Sequence, residues 1–345
     1  MGLFRKWFKP KEKFLDPVQA KAGRPCLLMV TFETNPRGQD FYRDAEIARR
    51  FSTIWLTEGF PWAEFDYDLR RILPRLSPDR SPDWVYVNYH RHFTGKIAGW
   101  EALEAPLAAW VGDPQDFILE GPLFEEKLNF FRRLRPQLLL TPYPRANHMI
   151  RQGLEDDATP ILECFWGIPP EIFRPLGLKR RHDIACLGSH TPRTYPFRNQ
   201  VREYLLHQRR LKFFQKIRIR EVTDFARTLN RLRACFTDAS IYDYTLAKYF
   251  EIPACGALLF GQPTDDLERL GFRDGENYVA VTPADFAQKM EHYLLAAPED
   301  AARLTQAGAS LVHQRHTWPR RITGLLKDIA GHLEQTWPEE VFQVE

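Results

Sequence analysis

Long apolar runs are missing from this chain. No stretch approaches the ~20 consecutive apolar residues that a membrane-spanning helix needs, and the opening segment MGLFRKWFKP lacks the apolar centre of a signal peptide. Lys6 stands where a myristoylation motif at Gly2 requires Ser or Thr. Cysteine is scarce: Cys26, Cys164, Cys186, Cys235 and Cys255 are far apart, and no C-x-x-C occurs. That spacing excludes a zinc ribbon or a disulfide framework and reads as buried thiols in a reducing, cytoplasmic compartment. An excess of one charge is also missing. Forty-eight basic and 45 acidic residues leave a net charge of +3, which argues against a nucleic-acid partner. P-loop, G-x-G-x-x-G and G-x-S-x-G motifs are absent.

What is present is apolar material for a sizeable core, 44% of 345 residues, a length suited to two domains. Residues 1–23 form a basic N-terminal arm. Leu3, Phe4, Trp7 and Phe8 can share one helix face among basic residues, so residues 1–14 can make a weak peripheral contact with the inner face of a membrane, or pack on the protein itself. From Cys26 onward, apolar strand-like runs (CLLMVTFE, STIWLTE, WVYVNY, PLAAWVGD, QLLLTPY) recur with intervening segments, the first of them the helix QDFYRDAEIARRF. The proline-dense stretch FWGIPPEIFRPLG, Phe165 to Gly177, breaks the pattern and marks a boundary near residue 170. The alternation then restarts with HDIACLGS. A helix over FARTLNRLR follows, with Phe225, Leu229 and Leu232 on one face and Thr223 as N-cap. Two final helices cover 299–315 and 319–335. The fold class predicted is α/β, with two Rossmann-like doubly wound halves, 24–170 and 171–318, facing a cleft. A C-terminal segment, 319–345, can cross back to the first half. Ligands of such sheets bind beyond the strand carboxyl ends.

The segment YDYTLAKYFEIPACGALLF reads as a helix followed by a buried strand, with Asp243 at the helix start and Glu251 two turns on, about 80° around the axis. Spacing alone makes these an N-cap and a surface acid, although Glu251 sits between Phe250 and Ile252. Basic residues near strand ends are Arg193 and Arg198, which follow Gly188-Ser189, and Lys248. In the first half, His90 and His92 follow the strand WVYVNY, and Asp113 ends PLAAWVGD at a position that suits a cleft residue or a turn. Asp66 and Asp68 form a D-x-D pair, but FPWAEF before it is no clean strand, so it reads as a polar loop or helix start and not as a metal site.

KYFEIPACGALLF, with the following GFRDGENYVAV and the terminal HQRHTW, resembles the C-terminal half of GT-B glycosyltransferases of the group-1 family. The greatest similarity is to the spore-maturation-protein (CgeB-like) type. The likeness covers about 130 residues, and WGIPPEIFRPLG and HDIACLGSHTPR extend it upstream. The resemblance implies a cytoplasmic, metal-independent glycosyltransferase without a cofactor. The first half would hold an unidentified acceptor. The second half would hold a UDP-, GDP- or ADP-sugar donor for glycan or cell-envelope synthesis. Glu251 takes the place of the glutamate that binds the donor ribose, and Asp243 that of the acid beside the donor sugar. Arg193, Arg198 or Lys248, with Gly188 and Ser189, would meet the diphosphate. Residues 217–222 would lie near the base. The acid-x7-Glu pattern resembles retaining enzymes; with inversion, Asp113 or His90 would be the base. The family often has Gly-Phe-Gly after the first acid, whereas this chain has Tyr244-Thr245-Leu246. That departure keeps two alternatives open: a sugar-nucleotide epimerase on the same fold and a non-catalytic binding protein.

Overall fold

The computed structural model describes residues 18–19, 21–32, 38–77, 79–90, 93–216 and 219–343. The proposed membrane-contact segment 1–14, His92 and positions 217–218 lie outside them. In the first half, β1 (Val18–Gln19) and β2 (Cys26–Val30) lead to α1 (Gln39–Ala48) and β3 (Ser52–Leu56). Then come α2 (Leu69–Leu76), β4 (Trp84–Asn88), β5 (Leu107–Trp110), α3 (Pro122–Leu134), β6 (Leu138–Thr141), α4 (Asn147–Leu154) and β7 (Ile161–Glu163). These strands form one sheet in the order β1-β3-β2-β4-β5-β6-β7, parallel except at the short edge strand β1. The unbroken apolar runs follow from that arrangement, because both faces of a parallel sheet are covered. Leu28 and Val30 of β2 enter a core with Phe130 and Phe131 of α3. Leu27 and Met29 point the other way, into a core with Ile47 of α1.

The second half runs β8 (His182–Cys186), α5 (Pro196–His207), β9 (Phe213–Phe214), α6 (Val222–Leu229), β10 (Leu232–Thr237), α7 (Lys248–Ala254), β11 (Leu258–Gly261), β12 (Val279–Ala280), α8 (Phe286–Glu291), α9 (Pro298–Arg315) and α10 (Trp318–His332). Its sheet is wholly parallel in the order β12-β11-β10-β8-β9. The expected helix over FARTLNRLR ends earlier. Leu232 opens β10, and Glu221, not Thr223, stands at the N-cap of α6. The helix stops because Asn230 turns its side chain onto the linker, accepting from the Leu176 N–H at 2.7 Å and donating to the Arg174 carbonyl at 3.0 Å.

In both sheets the strand order reverses beside the first central strand, at β2/β4 and at β8/β10. Such a reversal opens a crevice at the carboxyl ends. The chain passes between the halves twice, and the two passages are joined. The Ile168 N–H donates to the His316 carbonyl at 3.0 Å, and the Trp318 N–H donates to the Ile168 carbonyl at 2.9 Å. Beyond this hinge α10 packs Ile322, Leu326 and Ile329 into the core that holds Leu27 and Trp84 of the first sheet. All five cysteines are buried and unpaired. Among the described residues no helix is long and apolar enough to cross a membrane.

Candidate functional site

At the β8/β10 reversal, the turn after β8 contains Gly188, whose φ of +118° is open to glycine and strained for other residues. The Ser189 hydroxyl lies 3.0 Å from that of Thr191. Beneath this turn Arg198, 1% exposed, forms an ion pair with Asp238 at the end of β10. It also donates to the Ser189 carbonyl at 2.8 Å, while its own N–H donates to Asp238 at 3.0 Å. The pair therefore ties together the two strand ends that border the crevice. A buried charge matched in this way is neutralised in place.

Lys248, the first residue of α7, lies against the same turn. A Cβ added at Gly188 would stand 2.9 Å from Lys248 Cε and 3.2 Å from its Nζ. Among the described residues Lys248 makes no hydrogen bond or ion pair. Burial and the adjacent Arg198 guanidinium hold its pKa below the ordinary lysine range, with Glu251 and Asp238 opposing. Glu251 is one helical turn on and 6% exposed. Burial raises its pKa, offset in part by Lys248 and by a hydrogen bond from Gln39. Gln39, at the start of α1 in the first half, donates to Glu251 Oε1 at 2.7 Å and accepts from the Trp318 indole at 3.2 Å. One carboxylate thus touches the second half, the first half and the returning helix.

Asp243 is not on the helix. It occupies a left-handed turn (φ +55°) five residues before α7, so the 80° relation to Glu251 does not hold. It is exposed, yet loss of water around it, together with Asp265 and Asp266, raises its carboxyl above the usual range. The reason for the turn lies in the next residues. Tyr244 stacks on Tyr143 of the first half at 3.9 Å and 7°, and its hydroxyl donates to Gln115 at 2.7 Å. Thr245 bonds Thr264, hydroxyl to hydroxyl, at 2.6 Å, and Leu246 is buried. Tyr244 is therefore a packed staple between the halves, while Thr245 and Leu246 anchor the segment within the core.

Across the cleft, Asp113 follows β5 and leads into a short 3-10 turn, Pro114–Phe117. Lys127, itself almost fully enclosed, donates to the Asp113 carbonyl at 3.1 Å and to the Asp116 carboxylate at 2.9 Å. The Asp113 carboxyl opens to solvent, but the protein around it and the nearby Asp116 charge raise its pKa. Burial raises the phenol pKa values of Tyr143, Tyr195 and Tyr244, and the Asp113 charge adds to the shift of each. His90 lies after β4 and stacks on Phe32, which follows β2, with ring centroids 3.4 Å apart. It sits at the reversal of the first sheet. Arg193 is exposed on the loop between β8 and α5.

The structure thus gathers Gly188, Arg198, Lys248 and Glu251 at one crevice, with Asp113 and Asp243 near its tyrosine staple. Asp66 and Asp68 are otherwise engaged: Asp66 pairs with Arg71, and Asp68 caps α2 by accepting from the Arg70 N–H at 2.9 Å. Gln39, Gln115, Tyr143 and Asp238 have no sequence signal of their own. Their roles arise from contacts across 40 or more residues.

Residues 170–327 match the family model described as "Glycosyl transferase-like". None of the curated proteins matches the chain in sequence. Among solved structures, the chain is similar to a sucrose-phosphate synthase from Thermosynechococcus elongatus at 14% identity and TM-score 0.58, with 89% of this chain and 100% of that chain covered. It is also similar to HepE of Anabaena, solved in complex with UDP and glucose, at 11% identity and TM-score 0.60, over 89% of this chain and 100% of that one. A glycosyltransferase from Rickettsia africae gives 12% identity and TM-score 0.61, over 91% and 100%. Two α/β units with parallel sheets, face to face across a crevice and joined at a hinge, together with these neighbours, give the chain a GT-B fold whose second half is glycosyl-transferase-like in sequence.

Proposed function

We propose that the protein is a glycosyltransferase that moves a sugar from a nucleotide-sugar donor to an acceptor held by the first half. The observation that carries this reading is Lys248: a half-buried lysine without an ion-pair partner among the described residues, set against a positive-φ glycine at a sheet reversal, one turn before a buried carboxylate. A donor's diphosphate supplies the missing negative charge at Lys248, and its approach restores the lysine's ordinary pKa. A ribose diol offers two hydroxyl donors to Glu251. Arg193 lies on the adjacent loop and adds a second cation. Arg198 supports the turn through Asp238, so its part is to hold Gly188 and Ser189 in place. UDP leads the candidate donors because HepE was solved with UDP-glucose.

In the reaction the acceptor hydroxyl oxygen forms a bond to the anomeric carbon, the bond from that carbon to the diphosphate breaks, and the nucleoside diphosphate leaves with the electron pair and, in the retaining course, takes up the acceptor's proton on the departing oxygen. Lys248 and Arg193 stabilise the charge that develops on the leaving oxygen, a metal-independent arrangement. Asp243 faces the donor sugar in this reading, and the acid-x7-Glu spacing goes with retention of configuration. In an inverting course, Asp113 takes the acceptor proton, and its raised pKa suits that task. His90 is the second candidate base.

Thermal melting with UDP, GDP, ADP and TDP tests the reading. A nucleotide at a hundredfold excess over Kd stabilises by about 2.7 kcal/mol, and Lys248→Ala should weaken that effect. The absence of a shift with all four at millimolar concentration refutes it.

A further inference from the structure

A second cavity, of about 570 Å³, opens at the hinge and shares no residue with the crevice. It lies between the edge strand β7, the segment after β11 and the α9–α10 junction. Four arginines line it, Arg269, Arg315, Arg320 and Arg321, against two carboxylates, Glu163 and Asp328. Arg269 is matched, since it pairs with both Glu163 and Asp266. Arg321 is not. Its guanidinium lies between the rings of Phe165 and Phe250, 5.5 and 5.4 Å from their centroids. Its Nη2 donates to His316 Nδ1 at 2.8 Å, and its buried Nε has no partner among the described residues. His316 cannot neutralise it. The ring uses its Nε2–H on the Leu270 carbonyl at 2.8 Å, which leaves Nδ1 a neutral acceptor.

A buried guanidinium without a carboxylate is costly. Loss of water around it, and then the nearby Arg315 and Arg269 charges, lower its pKa to about 10. Arg315 and Arg320 are exposed, and neither makes an ion pair among the described residues. The cavity therefore gathers the guanidinium groups of Arg315, Arg320 and Arg321, none of them in an ion pair among the described residues, against one unpaired carboxylate, Asp328. Arginine forks of this kind match the oxygens of phosphate groups.

We infer that this hinge cavity is a binding site for a phosphate-bearing small molecule, separate from the nucleotide-sugar crevice, with Arg315, Arg320 and Arg321 as its cationic ligands. Inorganic pyrophosphate is the probe. Calorimetric titration of the full chain at constant ionic strength should show binding in the wild type. The double variant Arg315→Gln, Arg320→Gln removes only exposed charges and should raise Kd by about tenfold or more. Lys248→Gln, altered in the crevice, should leave a pyrophosphate-binding isotherm in place. Arg321→Lys keeps the charge and loses the fork, and should also weaken binding; should that variant not fold, the double variant decides alone. No binding in the wild type overturns the inference. So does binding that survives the double variant but is lost in Lys248→Gln, because the anion then sits in the crevice.

Discussion

Glu251→Gln separates charge from shape at the crevice. The amide is isosteric, and its oxygen can still accept from Gln39, whose donor sits 2.7 Å from Glu251 Oε1. What disappears is the negative charge offered to a ribose diol. A hydrogen bond to a charged group contributes about 1.5–3 kcal/mol and a neutral one about 0.5–1.5. The substitution should therefore weaken UDP by about 1–1.5 kcal/mol, roughly 5- to 13-fold in Kd. Stability without ligand should move the opposite way with pH. The raised pKa of Glu251 means that the folded state holds a proton that the unfolded chain has released. Stability from this group is full below the unfolded value of about 4.5 and is lost as pH rises through the folded value. The neutral amide has no such loss, so the variant should gain on the wild type as pH climbs from 4.5 towards 7. Calorimetric titration with UDP and urea unfolding at several pH values measure the two effects. Unchanged UDP affinity in a folded variant refutes the ribose contact, and a pH-independent stability difference refutes the buried charge.

His316 is held neutral by burial and by Arg321, its pKa lowered from 6.5 to about 3. The unfolded chain therefore takes up the proton first, and stability present above pH 6.5 is lost as pH falls from there towards 3. Between pH 7 and pH 5 this one group should account for about 2 kcal/mol, measured as the change in the urea-unfolding difference between wild type and His316→Gln. Gly153 in α4 lies against the turn that carries Gln115. An added Cβ would meet the Phe117 carbonyl oxygen and stand 2.8 Å from Phe117 Cβ. Gly153→Ala should therefore destabilise by about 1–3 kcal/mol despite better helix propensity, and equal or greater stability in denaturant melts would show that the turn yields freely. Gln39→Ala strips Glu251 of its donor and should lower unliganded stability by about 1–3 kcal/mol while strengthening UDP, because the nucleotide then fills a vacant demand. Calorimetry showing weaker UDP binding would mean that Gln39 contacts the ligand.

Central strands were legible in the sequence because a strand covered on both faces must be apolar throughout. CLLMV, WVYVN and LAAW could hardly be anything else at that length. The hinge was legible for a related reason, since three prolines between Phe165 and Gly177, Pro169, Pro170 and Pro175, leave no regular element to form. Edge strands β1, β7 and β9 carry two or three residues each, too few for a period. The start of α7 was hidden by its own pattern. Tyr242, Leu246 and Phe250 repeat every four residues as on a helix face, but Tyr244 is recruited by Tyr143 from 101 residues away, which forces Asp243 into a left-handed turn. Leu232 misled in the same way, matching the period of Phe225 and Leu229 while Asn230 had already left the helix for the linker. The crevice residues divide likewise. Lys248 and Glu251 were visible because charged residues in an apolar segment require a reason. Gln39 was not, because a glutamine at a helix start is unremarkable until the other half of the molecule is beside it.

The cross-cleft contacts also bear on how the halves move. Beyond the paired backbone at Ile168 and Thr317, three links border the crevice, the Gln39–Glu251 bond, the Tyr244–Gln115 bond and the Tyr143–Tyr244 stack, and two ion pairs, Arg269–Glu163 and Arg145–Asp266, also join the halves. Hydrogen bonds of this kind contribute about 1 kcal/mol net each and an aromatic pair about 0.5–1.5, so the three crevice links together contribute about 2.5–3.5 kcal/mol, to which the burial of Tyr143 and Ala146 and the two part-exposed ion pairs add. That is the same order as the free energy a nucleotide supplies at moderate saturation. A donor that takes over the Glu251 carboxylate replaces one of the three links with its own ribose contact. It therefore weakens the tie to α1 while leaving the tyrosine staple intact. Ligand and closure are then coupled through a single carboxylate, and the strength of that coupling is limited to the difference between what Gln39 and the ribose each offer it.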